Sequence, residues 1–172
     1  MRAPLDLGGI GKGLAVRWAA RRIGRETGNY LLNGGGDLIL DGPGPQGEGW
    51  RIGVEDPRDG DSLVAALRLG GRAAVCTSSI ARHAWESAGR RVHHLIDPRT
   101  GDAAASGLLA VTVVAHDPAW AEVWSKTLFI RGSAAIAQAA GERAALWVDS
   151  GGRLFATAAA ERLLFWRAPG AN

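Results

Sequence analysis

Short apolar or alternating runs, broken by glycine, proline and aspartate, recur along most of the chain. Residues 30–33, 38–40, 50–55, 63–69, 73–76, 92–96 and 108–115 read as strands on this pattern. Two longer segments switch to a helical period. In residues 14–23, Leu14, Ala15, Trp18 and Ala19 fall on one face, with Arg17, Arg21 and Arg22 off it. A helix over residues 118–130 starts behind Asp117 as N-cap, with Pro118 at its first position. Residues 134–140 form a short Ala-rich helix, and residues 144–148 and 153–157 a hairpin around Ser150-Gly151-Gly152. Strands outnumber helices and follow one another as meanders. This predicts an α+β fold, a mixed and mostly antiparallel sheet with packed helices, in one domain over residues 1–172.

Composition narrows the function classes. At 47% hydrophobic and 22% charged residues the chain buries a core, which excludes a disordered protein. The 25 glycines lie in clusters with no three-residue period, so collagen is excluded and turns or close backbone approaches are implied. A net charge of +3 with no basic run longer than an arginine pair argues against a nucleic-acid partner. The single cysteine, Cys76, excludes an internal disulfide and a cysteine zinc site, and reads as a small buried hydrophobe. The sequence shows no signal peptide and no apolar run near the roughly 18 residues a membrane span needs, so it assigns no location.

Five constellations carry candidate chemistry. Asp6 to Gly13 is a glycine-rich turn that opens a helix, with Lys12 as one of two lysines in the chain. Backbone N–H groups there suit a phosphate; a tight turn that packs a helix closely is the plainer reading. Asn33-Gly34-Gly35-Gly36-Asp37 joins two strands and lets a ligand or a backbone approach, or merely closes a turn. Thr77-Ser78-Ser79, near Arg82, offers hydroxyls for a phosphate or for a helix cap. His93 and His94 alternate faces in a strand, so they do not ligate one metal together, and they precede the turn Asp97-Pro98-Arg99-Thr100-Gly101. Glu122 and Lys126, the second lysine, stand four apart, the spacing of a solvent-face ion pair.

Taken in order, these segments resemble the FAD:protein FMN transferase family, known as ApbE. The resemblance rests on Asp6-Leu7-Gly8-Gly9-Ile10-Gly11-Lys12-Gly13, then Asn33 to Asp37, Thr77-Ser78-Ser79, and His93-His94-Leu95-Ile96-Asp97-Pro98-Arg99-Thr100-Gly101. The strand Val111-Thr112-Val113-Val114-Ala115 and the helix with Glu122, Ser125 and Lys126 complete it, up to about Gly132. It implies transfer of the FMN half of FAD onto a threonine or serine hydroxyl of an acceptor protein domain, with release of AMP. The alternative is a non-catalytic flavin- or nucleotide-binding homologue, or an inactive fragment.

By the same resemblance His94 would be the general base. Asp6, Lys12, Thr77, Ser78, Ile96 and Asp97 would contact the flavin nucleotide. A magnesium ion would sit near the Gly9 carbonyl, Glu122 and Ser125, at a site that also includes position 126. The family usually has Asp and Thr where this chain has Glu122 and Lys126, and a charged lysine is no metal ligand, so the magnesium itself is in question. Family members are about twice as long, with the additional part before Asp6. They are often exported or membrane-anchored, with the cytoplasm as the alternative. A reduced chain would expose apolar edges that favour a homo-oligomer.

Overall fold

The structure, a computed structural model, describes residues 6–81, 83–87, 89–139 and 143–170. Arg82 lies outside the described residues. The chain order is helix α1 (Gly11–Ile23), strands β1 (Tyr30–Asn33), β2 (Leu38–Asp41), β3 (Trp50–Glu55), β4 (Leu63–Leu69), β5 (Ala73–Ser79), β6 (Ala84–Ser87), β7 (Arg90–His93) and β8 (Leu108–Ala115). Helices α2 (Pro118–Arg131) and α3 (Ser133–Ala139) follow, then β9 (Ala144–Asp149), β10 (Leu154–Ala156), α4 (Ala158–Glu161) and β11 (Leu164–Arg167).

A six-stranded sheet runs β1-β2-β5-β8-β9-β10; a second sheet runs β11-β4-β3, and β6 pairs with β7. Every strand pair is antiparallel, so the mixed sheet expected from the sequence is antiparallel throughout its described pairs. Alternation along the strands splits the core in two. Leu40, Val75, Leu146 and Val148 join Val64, Leu67 and Ile52 of the small sheet. Ile39, Ala74 and Cys76 instead meet Val16 and Ala20 of α1, and Val111, Val113 and Ala145 meet Leu128, Phe129 and Ile136 of α2 and α3. The large sheet is thus covered by helices on one face and by the small sheet on the other.

Two local expectations change, and two strands go unannounced by the pattern. Thr77-Ser78-Ser79 caps no helix: β5 continues to Ser79, paired through Thr77 with Thr112 and through Ser78 with Val111. The strand before Asp97 stops at His93, and Ile96 keeps one isolated bridge to Ala103. The β6 strand has no apolar alternation to announce it, and β11 follows a single turn of helix that the period does not reveal. The third helix ends at Ala139, and residue 140 lies outside the described residues.

The glycine-rich opening has a packing reason at Gly13. A Cβ there would lie 2.5 Å from the Pro118 carbonyl oxygen and 2.6 Å from the Ala119 Cα, so only glycine lets α1 lie this close to the start of α2. Arg17 fastens the same contact, donating from Nε and Nη2 to Asp117 Oδ1 at 3.2 and 2.8 Å. That carboxylate also caps α2 through the Ala119 amide at 2.9 Å. Gly13→Ala is expected to lower stability by about 1–3 kcal/mol in urea unfolding, because the obstruction is backbone and cannot swing aside.

Candidate active site

The start of α1, the Asn33–Asp37 turn, the loop after β3, β5 and one side chain of α2 surround a cleft of about 820 Å³. Lys12, Thr77, Ser78, His94 and Lys126 line it, together with the backbone of Gly8, Gly35 and Gly36. Asp6, Gly9, Ile96, Asp97, Glu122 and Ser125 are not part of that lining. Their positions say what they do instead. Asp6 Oδ1 accepts the Gly8 amide at 2.7 Å and shapes the turn. Gly9, in that turn, is exposed. Ile96 is exposed, and Asp97 is buried and faces its own turn.

The two lysines are held differently. Lys12 reaches from the exposed first turn of α1 to the buried carboxylate of Asp37, Nζ to Oδ2 at 2.5 Å. Asp37 closes the glycine turn as well: its carbonyl accepts the Gly34 amide at 2.8 Å, and Asn33 Oδ1 accepts the Gly36 amide at 2.8 Å. Lys126 is four-fifths buried and donates to Glu122 Oε1 at 2.9 Å. The expected solvent-face pair is therefore an internal one, since Glu122 is only 1% exposed. Its other oxygen accepts the Gly13 amide at 2.6 Å. No side chain of α1's own N-cap residue, Ile10, serves that turn, so a carboxylate from α2 does.

The hydroxyls also have partners. Thr77 Oγ1 and Thr112 Oγ1 are 2.8 Å apart across two strands. Ser125 donates to the Glu122 carbonyl at 2.9 Å, and its oxygen then accepts from Ser78 at 2.8 Å. Cys76 donates to the Pro118 carbonyl at 3.4 Å, and burial pushes its thiol up, with the Asp37 charge adding to the effect. It is a packing residue, as its sequence context implies.

The two histidines have separate tasks. His93 is buried edge-on against Phe129; its Nδ1 accepts the Leu95 amide at 3.3 Å, which leaves Nε2 to donate to the Ala104 carbonyl at 3.1 Å. It is a core residue. His94 faces the cleft, and its Nδ1 donates to the His83 carbonyl at 3.3 Å. That bond leaves the Nε2 lone pair available. Partial burial moves the His94 imidazole below its ordinary value, against the bond to the His83 carbonyl, which raises it, and with the Lys126 ammonium adding to the downward shift, so the neutral ring is favoured.

Arg58 and its loop are the part that sequence reasoning missed. Asp56-Pro57-Arg58-Asp59-Gly60 repeats the pattern of Asp97-Pro98-Arg99-Thr100-Gly101, and the two turns are built alike. In each, the aspartate accepts the arginine amide, at 2.9 Å in both, and its guanidinium, at 2.5 Å for Arg58 and 2.6 Å for Arg99. In each, the closing glycine has φ near +76°: 75° at Gly60 and 77° at Gly101. Arg99 holds the Asp97 carboxyl down at about 2, and Arg58 lowers Asp56 in the same way. Only the first of these turns borders the cleft. The shared spacing was the available signal.

The donor set does not fit a magnesium ion. Glu122 has both oxygens engaged, Ser125 lies in a closed hydroxyl chain, and the adjoining position holds an ammonium. Among the described residues no group of three His, Cys, Asp or Glu side chains is placed to hold a metal.

The sequence profile of the ApbE family matches residues 1–147. The chain belongs to the ApbE family. Among curated ApbE relatives, the FAD:protein FMN transferase of Salmonella typhimurium is 34% identical over 130 residues, covering 75% of this chain and 37% of the relative. The Rhodobacter capsulatus protein of the same name is 32% identical over 158 residues, covering 89% of this chain and 29% of the relative. The ApbE protein of Thermotoga maritima superimposes with a TM-score of 0.80 at 31% identity, covering 92% of this chain and 53% of that one. The flavinyl transferase ApbE of Pseudomonas stutzeri does so with 0.78 at 30% identity, covering 95% and 52%. This ApbE chain therefore spans about half of the solved relatives and 37% of the Salmonella one. The antiparallel α+β fold with packed helices agrees with those relatives. No helix among its described residues is long and apolar enough to cross a membrane.

Proposed function

We propose that this chain houses a flavin-nucleotide transfer site, acting on FAD and on a hydroxyl-bearing acceptor domain. The observation that carries the reading is that one cleft gathers a tautomer-fixed His94, two lysines and the backbone of a glycine turn, in a chain of the ApbE family.

The reaction balances without any redox change. The acceptor's hydroxyl oxygen attacks the phosphorus of the FMN half. A new P–O ester bond forms there as the bond from that phosphorus to the bridging oxygen breaks, and AMP leaves with the bridging oxygen. His94 Nε2 takes the hydroxyl proton. Lys12 and Lys126 offset the charge that grows on the phosphates, and the backbone of Gly35 and Gly36 lets a diphosphate come close to the wall. Thr77 and Ser78 shape the wall.

A second reading, a flavin-binding homologue that does not turn over, is favoured by one observation, the poor fit of Glu122 and Lys126 to a metal. Flavin fluorescence on titration with FAD, followed by a transfer assay with a flavin-acceptor domain, separates the two. Saturable binding with labelled acceptor supports transfer; binding with the FAD never consumed selects the second reading; no binding overturns both.

The pH profile offers a further check. Because burial and neighbouring positive charge depress the His94 pKa, the imidazole stays unprotonated at pH values where an ordinary histidine charges. The acid limb of transfer is expected below the ordinary histidine value of about 6.5, read from kcat/KM against pH, which reports the groups of the free protein. A limb above that value would remove His94 from the role of base.

A further inference from the structure

The cleft contains one mostly buried cation whose carboxylate partner is shared. Lys126 belongs to α2, a helix buried against β5 and β8, yet its side chain lies in the cleft lining beside His94. It is 19% exposed, and Glu122 behind it is 1% exposed. A buried cation with a single carboxylate neighbour would be neutralised by it, but this carboxylate is shared. Its second oxygen is taken by the Gly13 amide at the positive end of α1. One negative charge therefore faces an ammonium on one side and a helix N-terminus on the other. The Lys126 ammonium is thus less than fully offset by its own carboxylate, in a cleft whose lining also holds Lys12, paired with Asp37, and Arg58, together with the acids Glu55, Asp56, Asp59 and Asp61.

We infer that the Lys126 ammonium stands in for a divalent cation, so that this chain binds the diphosphate of a dinucleotide without metal. Glu122 positions the lysine and fixes it to the start of α1, and so leaves no oxygen for an ion. Among the described residues the ammonium donates only to Glu122, which leaves two of its three N–H donors for phosphate oxygens. The inference rests on the flavin-nucleotide reading of the cleft, and it concerns binding alone.

The test is FAD affinity, by quenching of flavin fluorescence, in excess chelator and in excess magnesium. Wild type is compared with Lys126→Met and with the double variant Glu122→Asp, Lys126→Thr. The intact chain is expected to bind FAD equally well in both buffers. Lys126→Met should lose about tenfold to a hundredfold in chelator, the worth of a charge-assisted hydrogen bond. The double variant, with a carboxylate and a hydroxyl free, should bind weakly in chelator and recover in magnesium. Tenfold or greater tightening of the wild type by magnesium would overturn the inference, as would unchanged affinity in Lys126→Met.

Manganese titration of each protein without nucleotide, followed by electron paramagnetic resonance, supplies a second readout. A saturable site in the double variant alone supports the inference, and one in wild type overturns it. Should no form bind FAD in any buffer, the flavin reading fails, while the manganese result still decides what Lys126 replaces. Circular dichroism of each variant excludes loss of the fold as the cause.

Discussion

Replacing His94 with alanine is expected to lower the rate of flavin transfer by about 10²–10⁴-fold while leaving FAD affinity and the fold in place. That range is what positioned proton transfer contributes when the alternative base is water. The structure makes the variant a clean one. The His94 side chain is exposed to the cleft, and its bond to the His83 carbonyl is a long 3.3 Å. The fold-bearing histidine is its neighbour His93, packed on Phe129 and bonded at both ring nitrogens. His93→Ala should therefore destabilise the chain where His94→Ala does not. Single-turnover transfer at matched FAD saturation reads the effect, and a rate within twofold of wild type in His94→Ala would sink the assignment.

The second large effect falls on Glu122. Glu122→Ala is expected to destabilise the chain by about 3–5 kcal/mol, the range seen when one partner of a buried ion pair is removed. Three losses coincide in that variant. Lys126 keeps a mostly buried charge with no carboxylate, the Gly13 amide loses its acceptor, and a cavity opens between α1 and α2. Glu122→Gln retains an oxygen for the Gly13 amide and nearly the same volume, so a smaller loss is expected. Equal unfolding midpoints for the alanine and glutamine variants would show that the carboxylate charge and its two bonds carry no weight.

The sequence made the central strands of the large sheet, β5, β8 and β9, legible because they bury both faces between layers, which yields short apolar runs with clear punctuation. Leu108–Ala115 is the plainest case. The β6 strand, Ala84–Ser87, escaped because its side chains are largely exposed and it pairs only with β7, so no core imprints a period on it. For the site, motif order singles out Lys12, Thr77, Ser78, His94 and Lys126, and these line one cleft, whereas Asp6, Gly9, Ile96, Asp97, Glu122 and Ser125 do not. The burial of Glu122 was not legible, since i,i+4 spacing is the same on a wet face and a dry one. What dries this face is Gly13, more than a hundred residues away, and the contact it permits with Pro118 and Ala119. The Asp56-Pro57 and Gly60 spacing marks a turn after β3, but nothing in that spacing shows that the turn walls the cleft, which depends on how the small sheet packs on β5.

The carboxylate that reaches from α2 to the Gly13 amide also sets a local clock. Amides in the first turn of a helix lack an intrahelical acceptor and ordinarily exchange with solvent deuterium early. Gly13 sits in that turn, yet its N–H points at an oxygen of a buried side chain, in a space that no methyl group can enter. Its exchange is thus expected to follow the separation of the two helices rather than the fraying of one. Slow exchange at Gly13 beside fast exchange in the preceding glycine turn would report how often the floor of the cleft opens.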